Sequence, residues 1–141
     1  MDADELANRV AHAMLAAEGT GPAWGISIEE ARAGYARLSM TVRADMLNGH
    51  SIVHGGMVFA LADTAFAYVC NGGNEKTVAA QASIVFLGSA TEGETLIAEA
   101  EEAAASGRSG VTRVSVRTSD GRPIAEFTGY SRALGGPVVE I

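Results

Sequence analysis

The sequence predicts an α+β fold: one antiparallel sheet of five to six strands wrapped around a long central hydrophobic helix, with a further helix at the N-terminus. Three observations carry this. Met57 to Cys70 is a fourteen-residue run of almost wholly apolar or small residues without Gly or Pro. It is too long for an ordinary strand and too short to cross a bilayer, so it reads as a helix apolar on all sides and buried in the middle of a domain. Two alternating stretches precede it and four β-rich stretches follow. Asp120-Gly121, between the last two, is a tight hairpin signal. Helix, two strands, buried helix, four strands is the order of an antiparallel α+β domain.

The elements follow in order. Asp2 to Glu18 reads as a helix: Leu6, Val10, Met14 and Ala17 recur at helical spacing, acidic residues occupy its first turn, and Gly19-Thr20-Gly21-Pro22 stops it. Trp24, Ile26 and Ile28 alternate as a short strand. Ala36, Leu38, Met40 and Val42 then alternate with Arg37, Ser39, Thr41 and Arg43 as a half-buried one. A loop over 44–53 leads into the central helix, which ends at Asn71-Gly72-Gly73. Thr77 to Leu87 reads as a strand broken by Gly88-Ser89-Ala90. Glu94 to Ala105 is ambiguous, because Thr95-Leu96-Ile97 favours strand while the Ala/Glu run behind it favours helix. The alternation of Leu96, Ala98 and Ala100 with Ile97, Glu99 and Glu101 decides for strand. Val111 to Thr118 and Ile124 to Arg132 complete the sheet, and the tail over 134–141 is expected to be loose. Residues 1–141 thus read as a single domain, with 1–22 its N-terminal helix and linker.

Composition narrows the function. With 48% hydrophobic and 19% charged residues the chain is globular. The acidic start Met1-Asp2-Ala3-Asp4-Glu5 is unlike a signal peptide, and no run reaches membrane-spanning length, so no membrane is expected as a partner. A single cysteine excludes an internal disulfide and fits a cytoplasmic location. A net charge of −7 argues against nucleic acid, whose phosphates demand a basic face. An anionic ligand remains open where arginines cluster, and nine of the ten basic residues are Arg.

The chemistry concentrates on the central helix. Asp63 is its single carboxylate, and an unpaired charge is costly to bury unless it is used. Gly55 and Gly56 open the helix, where free backbone N–H groups and the positive end of the macrodipole favour an anion or a polarised carbonyl. A carboxylate and an oxyanion donor on one buried helix suggest an active site.

The residues also carry a resemblance. Asn48-Gly49-His50-Ser51-Ile52-Val53-His54-Gly55-Gly56, Leu61-Ala62-Asp63-Thr64-Ala65-Phe66-Ala67, Ser106-Gly107-Arg108-Ser109-Gly110 and Asp120 to Gly129 resemble the PaaI-type acyl-CoA thioesterases of phenylacetate degradation, a branch of the hotdog fold. Ser51-Ile52-Val53 departs from that family's small or hydroxyl residues. The resemblance implies that Asp63 is the catalytic carboxylate, that the Gly55 amide polarises the thioester carbonyl, and that Asn48 and His54 flank the reacting centre. Among the residues themselves, Gly56 beside Gly55 and Thr64 are candidates for substrate contact, and Arg108, next to Gly107 on a tight loop, is a candidate for the pantetheine or phosphates of coenzyme A, the alternative being a solvated loop charge. No metal or redox cofactor is implied, because coenzyme A is part of the substrate. A zinc set of His50, His54 and Asp63 matches no usual ligand spacing, His12 reads as a surface helix residue, and Cys70 reads as a small apolar residue.

Spacing adds one inference. Gly55 and Asp63 are eight residues apart, about 12 Å along a helix. If both act on one thioester, Gly55 comes from one subunit and Asp63 from its partner, so a two-fold homodimer would carry two composite sites. The resemblance further implies a tetramer of two such dimers. The substrate reading is an aryl-acetyl or similar medium acyl-CoA. The competing functions are a hotdog dehydratase or hydratase pairing His50 or His54 with Asp63, and a non-catalytic acyl-CoA sensor.

Overall fold

A computed structural model describes residues 1–141. Helix α1 (Ala3–Ala17) starts on a capping box, in which Asp2 accepts from the Glu5 N–H and Glu5 accepts from the Asp2 N–H. Helix α2 (Thr20–Trp24) is one short turn closed by Gly25 at φ 68°. Trp24 was expected in a strand and lies here instead. Gly19-Thr20-Gly21-Pro22 does end α1, but a proline inside a first turn gives up only an N–H that needs no helical partner, so a second turn forms before the sheet begins.

The sheet comprises β1 (Ser27–Arg32), β2 (Tyr35–Thr41), β3 (Thr77–Phe86), β4 (Thr95–Ser106), β5 (Ser109–Thr118) and β6 (Pro123–Ala133), with helix α3 (Gly55–Cys70) between β2 and β3. It is antiparallel throughout, in the order β1-β2-β4-β5-β6-β3. This is the hotdog arrangement. The alanine- and glutamate-rich β4 is a strand over its whole length, because pairing with both β2 and β5 outweighs its helical propensity.

The sheet's inner face closes on one side of α3. Val58, Leu61, Ala62, Ala65, Phe66 and Val69 are buried there with Leu38, Met40, Leu96, Val114, Val116 and Phe127. Phe59 meets the Phe127 ring edge-on at 5.4 Å. Gly129 in β6 makes room for Phe66, since a Cβ there would come within 2.7 Å of its ring.

Two features depart from expectation. The central helix is not buried all round, because Gly56, Ala60, Asp63, Ala67 and Cys70 form a stripe that the sheet leaves partly open. The tail over 134–141 has no regular structure but is tied down. Asn74 Oδ1 accepts from the Val138 and Val139 N–H groups at 3.0 and 2.9 Å, and its Nδ2 donates to the Val139 carbonyl at 3.1 Å. Arg9 donates to the Glu140 carbonyl at 2.8 Å. A hairpin-like turn after α3 thus receives the chain's end through one asparagine at φ 64°.

Candidate active site

The loop before α3 is built by Asn48. Its N–H donates to the Ile52 carbonyl at 2.8 Å, and its Oδ1 accepts from the N–H groups of His50 (2.8 Å) and Ile52 (3.4 Å). The side-chain oxygen is therefore committed to the loop, and its Nδ2 has no partner within the chain. Two main-chain bonds, Val53 N–H to the Ala90 carbonyl and His54 N–H to the Met46 carbonyl, both 2.8 Å, fix where the helix starts.

His54 is the N-cap. Its Nδ1 accepts from the Gly56 N–H at 2.8 Å, which assigns the ring hydrogen to Nε2. The Gly56 amide is thereby occupied. The Gly55 N–H is not: as the first residue of a sixteen-residue helix it has no partner, and it lies at the positive end of the macrodipole. The Phe86 ring covers this position so closely that a Cβ on Gly55 would sit 3.1 Å from it. Phe86 was not foreseen as a site residue. Its only sequence signal is a lone aromatic at the end of β3.

Asp63 lies two turns further on, in the open stripe. The residues of that stripe, at 56, 60, 63, 67 and 70, repeat at intervals of four and three, and apart from Asp63 they are small. That spacing makes one continuous helix face which a second helix or an extended ligand can approach closely. The Asp63 carboxylate forms no hydrogen bond or ion pair in the chain, and burial raises its pKa above the ordinary aspartate value. Thr64 turns its hydroxyl back onto the Ala60 carbonyl at 2.7 Å. Cys70 closes the stripe. Burial pushes its thiol up to about 12, with the Asp63 charge contributing, so it is a thiol and not a thiolate at neutral pH.

The remaining candidates lie elsewhere. Gly107, at φ 58°, turns β4 into β5, and Arg108 beside it is exposed with no side-chain partner. Both line a cavity at the far end of α3 that also touches Cys70. His50 is exposed on the loop, and the His12 ring meets only its own helix at the Asn8 carbonyl. No three His, Cys, Asp or Glu side chains gather closely enough to hold a metal. Within one chain, then, the free Gly55 donor and the unpartnered Asp63 are both present on α3 but separated by its rise.

Residues 50–125, more than half of the chain, match the thioesterase superfamily. Over 128 residues the chain is 40% identical to the acyl-coenzyme A thioesterase PaaI of Escherichia coli K12, covering 91% of both proteins. The chain belongs to the thioesterase superfamily. Its structure superposes on that of the E. coli PaaI protein from the phenylacetic acid degradation operon with a TM-score of 0.94 and 38% identity, covering 96% of this chain and 99% of that one. A variant of the phenylacetic acid degradation protein PaaI from Thermus thermophilus gives a TM-score of 0.80 and 32% identity, covering 83% and 100%. The superfamily match spans the Gly55–Asp63 segment and most of the sheet that carries it.

Proposed function

We propose that this chain hydrolyses acyl-CoA thioesters to the free acid and coenzyme A, acting as a two-fold dimer in which each site combines the Gly55 amide of one subunit with Asp63 of the other. The observation that carries this reading is the pair of uncommitted groups on α3: a free N–H at its positive end, and a carboxylate with no partner on its open stripe. Thioester hydrolysis needs both functions. A fixed donor stabilises charge developing on the carbonyl oxygen, and a carboxylate either attacks the carbonyl carbon or takes a proton from an attacking water. His54 Nε2–H and Asn48 Nδ2 are unspent donors in the loop that presents Gly55, and they would orient the thioester. Arg108 would meet the phosphates of coenzyme A as a bidentate donor. The acyl group would be an aryl-acetyl or similar medium-length one.

The dimer also fits the sheet. β3 is an edge strand whose outer side is unpaired, and its end exposes Val85 by 60% and Phe86 by 51%, followed by Leu87 at 55%. An exposed apolar edge is normally covered. Pairing β3 with its symmetry mate would extend the sheet, bring the two open α3 stripes side by side, and set Gly55 of one chain against Asp63 of the other. Two such dimers would then make the tetramer.

The direct test is thiol release from a panel of phenylacetyl, hydroxyphenylacetyl, benzoyl and short aliphatic CoA thioesters. Turnover of an aryl or medium acyl-CoA is expected, and intact thioester with every substrate would overturn the reading. The dimer is tested separately. Val85→Asp combined with Leu87→Asp places like charges on both copies of the edge while sparing the core, so ultracentrifugation should show the monomer and thiol release should be lost. A monomeric variant that still turns over would rule out the composite site.

A further inference from the structure

Strand β3 ends on an aromatic residue that the fold does not use for its core. Phe86 lies outside the core cluster and outside both aromatic pairs, and 51% of it is exposed. Burial does not account for its placement, since an apolar side chain stabilises in proportion to the area it removes from water. Its surroundings are nonetheless fixed. Phe86 pairs in register with Ala125 of β6, and the next two N–H groups, of Leu87 and Gly88, both donate to the Ile124 carbonyl at 2.8 and 3.2 Å. Gly88 passes so close to the start of β6 that a Cβ there would come within 2.6 Å of the Pro123 carbonyl oxygen. Two residues on, the carbonyl of the buried Ala90 accepts from the Val53 N–H at 2.8 Å, just ahead of Gly55. The end of β3 and the start of α3 are thus pinned to each other, and the join sets the Phe86 ring against Gly55.

The part of the ring that meets the glycine is its outer end. A Cβ on Gly55 would sit 3.1 Å from Cζ and 3.3 and 3.6 Å from the two Cε atoms. Gly55 is half-buried there, between an exposed His54 and an exposed Gly56. Its N–H is the donor at the start of α3 that has no partner in the chain. Such a donor, left open to solvent, bonds water in place of a carbonyl oxygen, and water beside it weakens its hold on developing charge. We propose that Phe86 is a positioning residue for the reaction, the outer end of its ring keeping water away from the Gly55 N–H and leaving that donor free for the thioester oxygen. This rests on the thioesterase reading. In this role the ring acts through Gly55 and not on the acyl group. Its contribution therefore falls on the transition state, where the oxygen carries charge, and is the same whatever acyl group is attached.

The experiment compares the wild type, Phe86→Leu and Phe86→Met on phenylacetyl-CoA, benzoyl-CoA and hexanoyl-CoA. Leucine keeps an apolar residue at the end of β3 but has no atom beyond Cδ, so the part of the side chain that meets Gly55 is gone. Methionine reaches as far as Cε. A whole oxyanion donor is worth about 10²–10³-fold, and here the donor is hydrated and not deleted. Phe86→Leu should therefore lower kcat about tenfold on every substrate turned over, with KM changed by less than about threefold. Phe86→Met should recover most of that loss. An unchanged kcat, an effect confined to KM, a loss that varies with the acyl group, or a Phe86→Met as impaired as Phe86→Leu overturns the assignment. A second readout needs neither turnover nor an assembled dimer. Exchange of the Gly55 amide hydrogen with solvent, followed by NMR, should be several-fold faster in Phe86→Leu than in the wild type. Equal exchange refutes the role, even where Phe86→Leu has lost activity through poor assembly. Should the wild type release thiol from no substrate, the thioesterase reading fails by itself, and the exchange rates alone decide whether the ring shields the donor.

Discussion

Asp63→Asn is expected to lower kcat/KM for acyl-CoA hydrolysis by about 10²–10⁴-fold while raising the melting temperature at neutral pH. Both effects have one cause. Burial without a partner raises the Asp63 pKa in the folded chain, whereas in the unfolded chain the side chain titrates near about 3.9. Between those two values the native state holds a proton that the unfolded state has released, so stability falls as pH rises through this window. Above the native value the full penalty of a buried, unpaired carboxylate is present; below the unfolded value it is absent. The isosteric amide carries no charge at any pH. Its advantage in melting temperature should therefore be largest at neutral pH and should vanish in acid. Activity should show the complementary profile, with an acidic limb above the ordinary aspartate range, because only the carboxylate can attack or accept a proton. A variant that is inactive but no more stable, in melts taken across pH, would mean that a group from the partner subunit already compensates the charge.

Much of this arrangement is legible in sequence. The length and composition of Met57–Cys70 allow little but a buried helix, Asp120-Gly121 fixes the last hairpin, and the alternation around Leu96 resolves β4 despite its alanines and glutamates. These signals are local, and the contacts that enforce them are with immediate neighbours in the sheet. What the sequence hides depends on distant partners. Apolar periodicity cannot show that one stripe of α3 lacks a covering layer, because Ala60 and Ala67 look the same against a sheet as against nothing. That the His54 ring caps the helix by accepting from Gly56 at Nδ1, leaving Gly55 as the free donor, depends on local geometry that residue identity does not show. Trp24 misled for a related reason, since Gly19-Thr20-Gly21-Pro22 announces an end to α1 without saying whether another turn follows.

The composite site makes a prediction that no single-subunit mechanism shares. Gly55 occupies the first position of α3, where proline is well tolerated because the N–H it lacks has no helical partner. The preceding His54 lies at φ −65° and ψ 135°, the conformation a following proline favours. Gly55→Pro should therefore preserve the helix, with the half-exposed Phe86 ring moving aside, while deleting the backbone donor at the positive end of α3. Loss of such a donor costs about 10²–10³-fold. Gly55→Pro and Asp63→Asn are thus each nearly inactive alone. Unfolded together in equal amounts and refolded, half of the dimers formed would be mixed. Each mixed dimer would pair an intact Gly55 from the Asp63→Asn chain with an intact Asp63 from the Gly55→Pro chain at one of its two sites, the other site carrying both lesions. Activity should return to about a quarter of the wild-type value per chain. If donor and carboxylate instead served the same subunit's substrate, every site in the mixture would retain one lesion and activity would stay at the level of the parents. Gel filtration of the refolded mixture, confirming the wild-type oligomer in both cases, makes the two outcomes mutually exclusive.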